Sequence, residues 1–111
     1  MASKEEIYDQ AVDHVAEGEL EAAVAAYRRA LEIDPEYADA LEGLSMALAD
    51  LERYPEAIEA AQRVVDLTPE DQLAYTNLSR IYQRAGDVPK AEEWAAKGRM
   101  LDWKRQLKGT Q

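Results

Sequence analysis

Acid–base and nucleophilic side chains are unevenly supplied in this chain. There are 23 Asp and Glu against 13 Lys and Arg, a single His and no Cys. Glu5, Glu6 and Asp9 lie close together, as do Glu17, Glu19 and Glu21. Paired carboxylates can share proton transfer when one of them is desolvated. These groups fall at helix starts or on solvent-facing helix positions, where negative charge complements the helix dipole, so surface and capping roles are expected. His14 falls among apolar columns and is expected to be a packed, structural residue. With no second His and no Cys, neither a transition-metal site nor a disulfide is expected. No Asp-rich loop has calcium-ligand spacing, and no Gly-rich loop is shaped to cradle phosphate. Asn77-Leu78-Ser79 has the form of a glycosylation acceptor but lies inside a predicted helix. The expectation is a non-enzymatic chain with no catalytic residue, metal or cofactor.

Composition narrows the partners. The net charge is −10, so phosphate repulsion argues against nucleic acid. Residues 1–70 hold 5 basic and 18 acidic groups, a net of −13, whereas residues 71–111 hold 8 basic and 5 acidic groups, a net of +3. Such asymmetry is either solvated helix surface or a polarised binding surface. Apolar residues make up 47% of the 111, enough for one domain with a modest core. Met1 to Glu6 is polar with no apolar stretch after it, and no run reaches the roughly 18 apolar residues of a membrane span. A cytoplasmic protein without membrane insertion is expected.

Elements that would position these residues emerge on comparing the sequence with itself. At a shift of 34, Ala11, Ser45 and Ser79 align, as do Ala23, Ala57 and Ala91. Ile7, Leu41 and Tyr75 form a column, and so do Gln10, Leu44 and Leu78. His14, Leu48 and Tyr82 follow, then Leu20, Tyr54 and Val88, and Ile33, Leu67 and Leu101. Pro35 and Pro69 close the first two units, with Trp103 in the third such place. The columns resemble the tetratricopeptide repeat over residues 4–105. Each unit departs from that pattern at two places: Gln10 and His14, Ala61 and Val64, Ala95 and Trp103.

Apolar spacings of three and four predict two amphipathic helices per unit. They fall near 4–17, 20–33, 38–51, 55–67, 71–85 and 89–106. Ser3-Lys4-Glu5-Glu6 is a capping box. Gly18 and Gly86 suit left-handed hairpin turns, and Glu52-Arg53-Tyr54 replaces that Gly in the second unit. Small columns, Ser45 and Ser79 among them, mark where helix axes come closest. The expected fold is therefore all-α: three hairpins, six helices, in repeats 4–37, 38–71 and 72–105, with a frayed tail over 106–111. One hairpin cannot bury its own faces, and three stacked ones can.

The resemblance implies a right-handed superhelix whose concave side is built from the first helix of each repeat. Its function would be that of an adaptor holding a peptide or partner surface there. The alternative is a small subunit held in a larger assembly by its terminal helices. The expected groove residues are Tyr8, Val12, Val15, Glu42, Met46, Ala49, Asn77, Arg80, Gln83 and Arg84. Tyr8, Val12 and Val15 form an apolar stripe off the core face, for end packing or for a partner. Arg80 and Arg84 stand one helical turn apart, so a ligand with apolar residues followed by acidic ones is expected, its acidic end toward repeat three. One subset of the family clamps a C-terminal carboxylate with two Lys, two Asn and an Arg. The matching positions here are Tyr8, Val12, Gly43, Leu73 and Asn77, so that clamp is not expected. Trp94, Leu101 and Trp103 are the expected end interface. Trp103 would fold back over the core, with a homodimer through the last helix as the alternative.

Overall fold

A computed structural model describes residues 1–109 as six helices: α1 (Lys4–Ala16), α2 (Leu20–Ile33), α3 (Ala38–Asp50), α4 (Tyr54–Leu67), α5 (Gln72–Arg84) and α6 (Val88–Gly109). No strand occurs among the described residues. Each helix packs on the next in the series. The expected boundaries hold to within a residue except at the last. Residues 106–109, assigned to a tail from the sequence, continue α6. Arg105 there donates to the carbonyl of Glu70, and Gln106 donates to Asp102 one turn back at 3.4 Å. Residues 110–111 lie outside the described residues.

The punctuation has local causes. The Ser3 hydroxyl accepts from the Glu6 amide at 3.1 Å, and the Glu6 carboxylate accepts from the Ser3 amide at 3.2 Å. Two of the orphan donors at the start of α1 are thereby satisfied. The three hairpin turns repeat one another. Gly18, Glu52 and Gly86 stand at φ 77°, 62° and 88°. The next residue in each turn, Glu19, Arg53 or Asp87, donates to the carbonyl of His14, Leu48 or Tyr82 at 2.8 to 2.9 Å. Glu52 therefore occupies a left-handed conformation that an L side chain adopts at a cost of roughly 1–2 kcal/mol.

Small side chains set the helix separations. Ala11, Ala23 and Ala57 are fully buried, and Ala91 nearly so. Ser45 is buried with its hydroxyl donated to the Glu42 carbonyl at 2.7 Å. Ser79 donates across the α5–α6 contact to the Ala91 carbonyl at 2.7 Å. Leu48 and Leu78 are the largest apolar side chains with almost no exposure. Curvature follows from unequal contact on the two sides. Helices α1 and α3 touch. On the other side α2 and α4 are separated by a cleft of about 460 Å3 whose floor is Leu41, Leu44 and Leu48 of α3. Helices that touch lie inside a bend and helices that splay lie outside it. The series α1, α3, α5 therefore forms the inner side.

Candidate functional site

Four large apolar side chains are exposed on the inner helices: Val12 at 41%, Val15 at 40% and Met46 at 55% of full exposure, and Leu73 at the start of α5. Their neighbours in sequence are used up by packing. Tyr8, expected on the same stripe, is half-buried. Its ring stands 5.8 Å from that of Tyr27 and 5.6 Å from that of Tyr37, so it fills the junction of α1, α2 and α3. Burial pushes the Tyr8 phenol up, and the carboxylates of Asp39, Glu42 and Asp9 add to that effect. The end of the groove between α1 and α3 is thus an acidic surface around an aromatic cluster. Lys4 neutralises part of it: its ammonium pairs with Asp34 and stands 4.9 Å from the Tyr37 ring.

Ala49 is not on the groove. It is fully buried, one turn from the buried Ser45 on α3, and Arg84 donates to its carbonyl at 3.2 Å. Arg84 also pairs with Asp50 at 3.1 Å. That arginine joins α5 to α3. Asn77 does the same, donating to Glu42 at 2.8 Å. Arg80 and Gln83 are exposed, and Arg80 makes no ion pair among the described residues. The pair of arginines read from the sequence thus divides into one structural tie and one accessible cation. Leu73, 56% exposed, lies at the start of α5 and appears in the sequence reading only as a position lacking a clamp side chain. Its signal was an apolar residue off the buried stripe of Ala74, Leu78 and Ile81.

The two ends of the stack differ from its middle. Gln10 is exposed where Leu44 and Leu78 are buried, and it accepts from Arg29 at 3.4 Å. His14 corrects the expectation of a packed core histidine. Its side chain is 37% exposed, with Nδ1 3.0 Å from the Glu19 carboxylate. Leu48, its counterpart, has a hairpin on each side, whereas among the described residues α1 has none beyond it. At the other end, the counterparts of Val24 and Ile58 are Glu92, and those of Leu31 and Val65 are Arg99. The apolar members of those columns lie in the core or pack against it. Glu92 and Arg99 instead pair with each other at 3.9 Å on the outer side of α6. Trp94 and Leu101 are half-buried, Trp94 lying 6.1 Å from the Tyr75 ring with the Lys97 ammonium 4.0 Å from its own. Trp103 does not fold back over the core. It is 54% exposed, because position 103 lies about 120–140° around α6 from Ala91 and Gly98, the residues buried on that helix.

Among the described residues no helix is long and apolar enough to cross a membrane.

A tetratricopeptide repeat family profile matches residues 8–72 and 47–100. Anaphase-promoting complex subunit 3 of Schizosaccharomyces pombe is 28% identical over 98 residues, which is 88% of this chain and 15% of that protein. Two solved structures of MamA superpose with TM-scores of 0.86 and 0.90 at 25% identity, over 95% of this chain and 61% and 57% of theirs. The chain thus spans less than two thirds of these relatives. The second such domain of Spaghetti (RPAP3), bound to an HSP90 peptide, superposes with a TM-score of 0.80 at 19% identity, over 89% of this chain and 92% of that one, and shows likeness of fold alone. With the profile covering residues 8–100 and the hairpins repeating every 34 residues, the chain belongs to the tetratricopeptide repeat family.

Proposed function

We propose that the chain is a non-enzymatic adaptor that holds a segment of a partner protein in the concave face of α1, α3 and α5. The observation that carries this reading is the exposure of Val12, Val15 and Met46 on the inner helices, where no intramolecular contact requires an apolar side chain. Apolar surface exposed in a concavity and ringed by charge suits a partner that removes it from water. The charges set a direction. An acidic residue of the ligand would meet Arg80, and a basic one would meet Asp9, Asp39 and Glu42 near Tyr8. This revises the preference read from the sequence, in which Arg80 and Arg84 acted together.

The test is a peptide-display selection on the wild-type chain, followed by titration of selected peptides against Val12→Lys with Met46→Lys. Loss of binding there, with binding retained in Glu59→Ala on the outer helices, supports the groove. Arg80→Ala should weaken peptides with a suitably placed acidic residue by about 1.5–3 kcal/mol for a charged hydrogen bond lost. Peptides that bind the groove variant as well as they bind the wild type would refute the reading.

A further inference from the structure

Helix α6 has two apolar faces, and α5 uses only one of them. Ala91 and Gly98 are buried against α5, with Trp94 and Leu101 half-buried beside them. Ala96, Met100 and Trp103 follow one another at spacings of four and three, and Leu107 continues the series. At roughly 100° per residue these positions lie within about 40° of the direction opposite Gly98. Met100 and Trp103 are each 54% exposed. Lys97, Lys104 and Lys108 flank one side of the stripe, Lys97 also standing 3.7 Å from Glu93, whereas Arg99 pairs with Glu92 and Arg105 donates to the Glu70 carbonyl. Met100 and Trp103 face away from the contact of α6 with α5, and neither stands in the column of Val24 and Ile58. The stripe's apolar character needs another cause.

A complementary surface exists in the same chain. The groove presents Val12, Val15 and Met46, with Asp9, Asp39 and Glu42 close to Tyr8. Residues 1–70 carry a net −13 and residues 96–109 a net +4. One copy cannot bring the two surfaces together, because α1 and α6 terminate a series of six helices each packed on the next. We propose that the outer face of α6 docks into the concave groove of a second copy. Met100 and Trp103 would lie against Val12, Val15 and Met46, with Lys97 and Lys104 toward Asp9, Asp39 and Glu42. The inference rests on the groove being a binding surface, and it uses an amphipathic helix laid in an apolar groove. Donor and acceptor patches differ, so the contact is heterologous. Two copies exchange α6 reciprocally, or the association propagates.

The experiment is sedimentation equilibrium of the full chain over a wide concentration range at fixed ionic strength. The wild type should self-associate. A helix variant, Met100→Glu with Trp103→Glu, and a groove variant, Val12→Lys with Met46→Lys, should each be monomeric with unchanged helical circular dichroism. Mixing the two restores one intact contact, so a 1:1 heterodimer and nothing larger should form. Lys97→Glu with Lys104→Glu, charges on the stripe's flank, should weaken association by at least about tenfold. A monomeric wild type, or a mixture of variants that stays monomeric, would overturn the proposal. So would association that survives in the groove variant and fails in the helix variant, which would place α6 against another α6. Binding of anionic phosphatidylglycerol vesicles through Trp103 without self-association would assign the stripe to lipid instead. Groove-dependent peptide binding by a monomeric wild type would leave the adaptor reading standing and remove this one.

Discussion

Gly43 is the position at which one added methyl group should change most. It lies inside α3, where alanine would ordinarily stabilise the helix by about 0.8–1 kcal/mol. Here a Cβ would stand 2.4 Å from Cζ, 2.5 Å from Cε1 and 2.7 Å from the hydroxyl oxygen of Tyr27. These are ring atoms of a side chain only 4% exposed, with the Tyr8 ring 5.8 Å away and Tyr37 beyond that. The ring cannot swing clear as the end of a lysine would. Overpacking costs typically about 1–3 kcal/mol, and the depth of this overlap puts Gly43→Ala at the upper end. Subtracting the helix gain leaves a net destabilisation of about 2 kcal/mol. A domain of this size loses about 4–5 °C per kcal/mol, so the melting temperature should fall by about 8–10 °C.

The assay is urea unfolding followed by circular dichroism, in the wild type and again with Tyr27→Leu. Leucine removes the ring atoms that the methyl would strike. In that background Gly43→Ala should be neutral or stabilising by up to about 1 kcal/mol. A Gly43→Ala chain as stable as the wild type would refute the reasoning. An equal cost in both backgrounds would do so too, since it would locate the strain away from Tyr27.

Three further outcomes follow from named contacts. Glu52→Gly should stabilise by about 0.5–1 kcal/mol, the relief of a left-handed L residue less the entropy of a new glycine, and an unchanged or lower melting temperature would show that the turn is unstrained. The Lys4 ammonium holds the Asp34 carboxyl below its usual 3.8 through a hydrogen bond, helped by the Glu36 amide. Its stabilising contribution is therefore full above that value and lost as the pH falls through the lower folded one. In Lys4→Ala the acid loss of stability should be shallower, and urea midpoints with the same acid slope as the wild type would exclude this pair as its source. Trp94→Ala should cost about 2 kcal/mol, roughly half of a fully buried Trp truncation, whereas Trp103→Ala should stay within about 0.5 kcal/mol. Equal costs would mean that α6 is rotated on α5.

The fold was legible because its determinants are local and repeated. Capping at Ser3, the turns at Gly18 and Gly86, and the prolines after α2 and α4 each act within a few residues of chain. Repetition then averages out the single errors that make boundaries uncertain. The small columns were legible for a related reason: two helices can cross closely only where both lack bulk, and this recurs at a fixed spacing. Glu52 shows the limit of reading by residue type. The sequence marks it as a poor turn residue, and the hydrogen bonds to Leu48 and Ala49 carbonyls hold it left-handed all the same.

The candidate site was less legible because exposure is decided by the neighbouring helix. Within α3, Ala49 stands one turn from Ser45 at the edge of the buried arc, whereas Met46 points roughly opposite the leucines; period alone does not fix how wide that buried arc is, because the neighbouring helices decide it. Arg80 and Arg84 share a helix face, but Asp50 of the preceding repeat engages just the second. Tyr8 belongs to its stripe by spacing and to the core by the presence of Tyr27 and Tyr37. The departures from the repeat pattern carry a different lesson. Gln10, His14, Glu92 and Arg99 sit where a stacked array needs apolar contact on both sides, and each is polar at an outward face. End effects therefore account for the polar departures. They leave Val12, Val15 and Met46 on the inner side, and Met100 and Trp103 on the outer side of α6, as apolar residues that neither the repeat nor its ends require. Those two groups differ in local charge, one lying beside carboxylates and the other among lysines, and for that reason the search for a partner should begin with the chain itself.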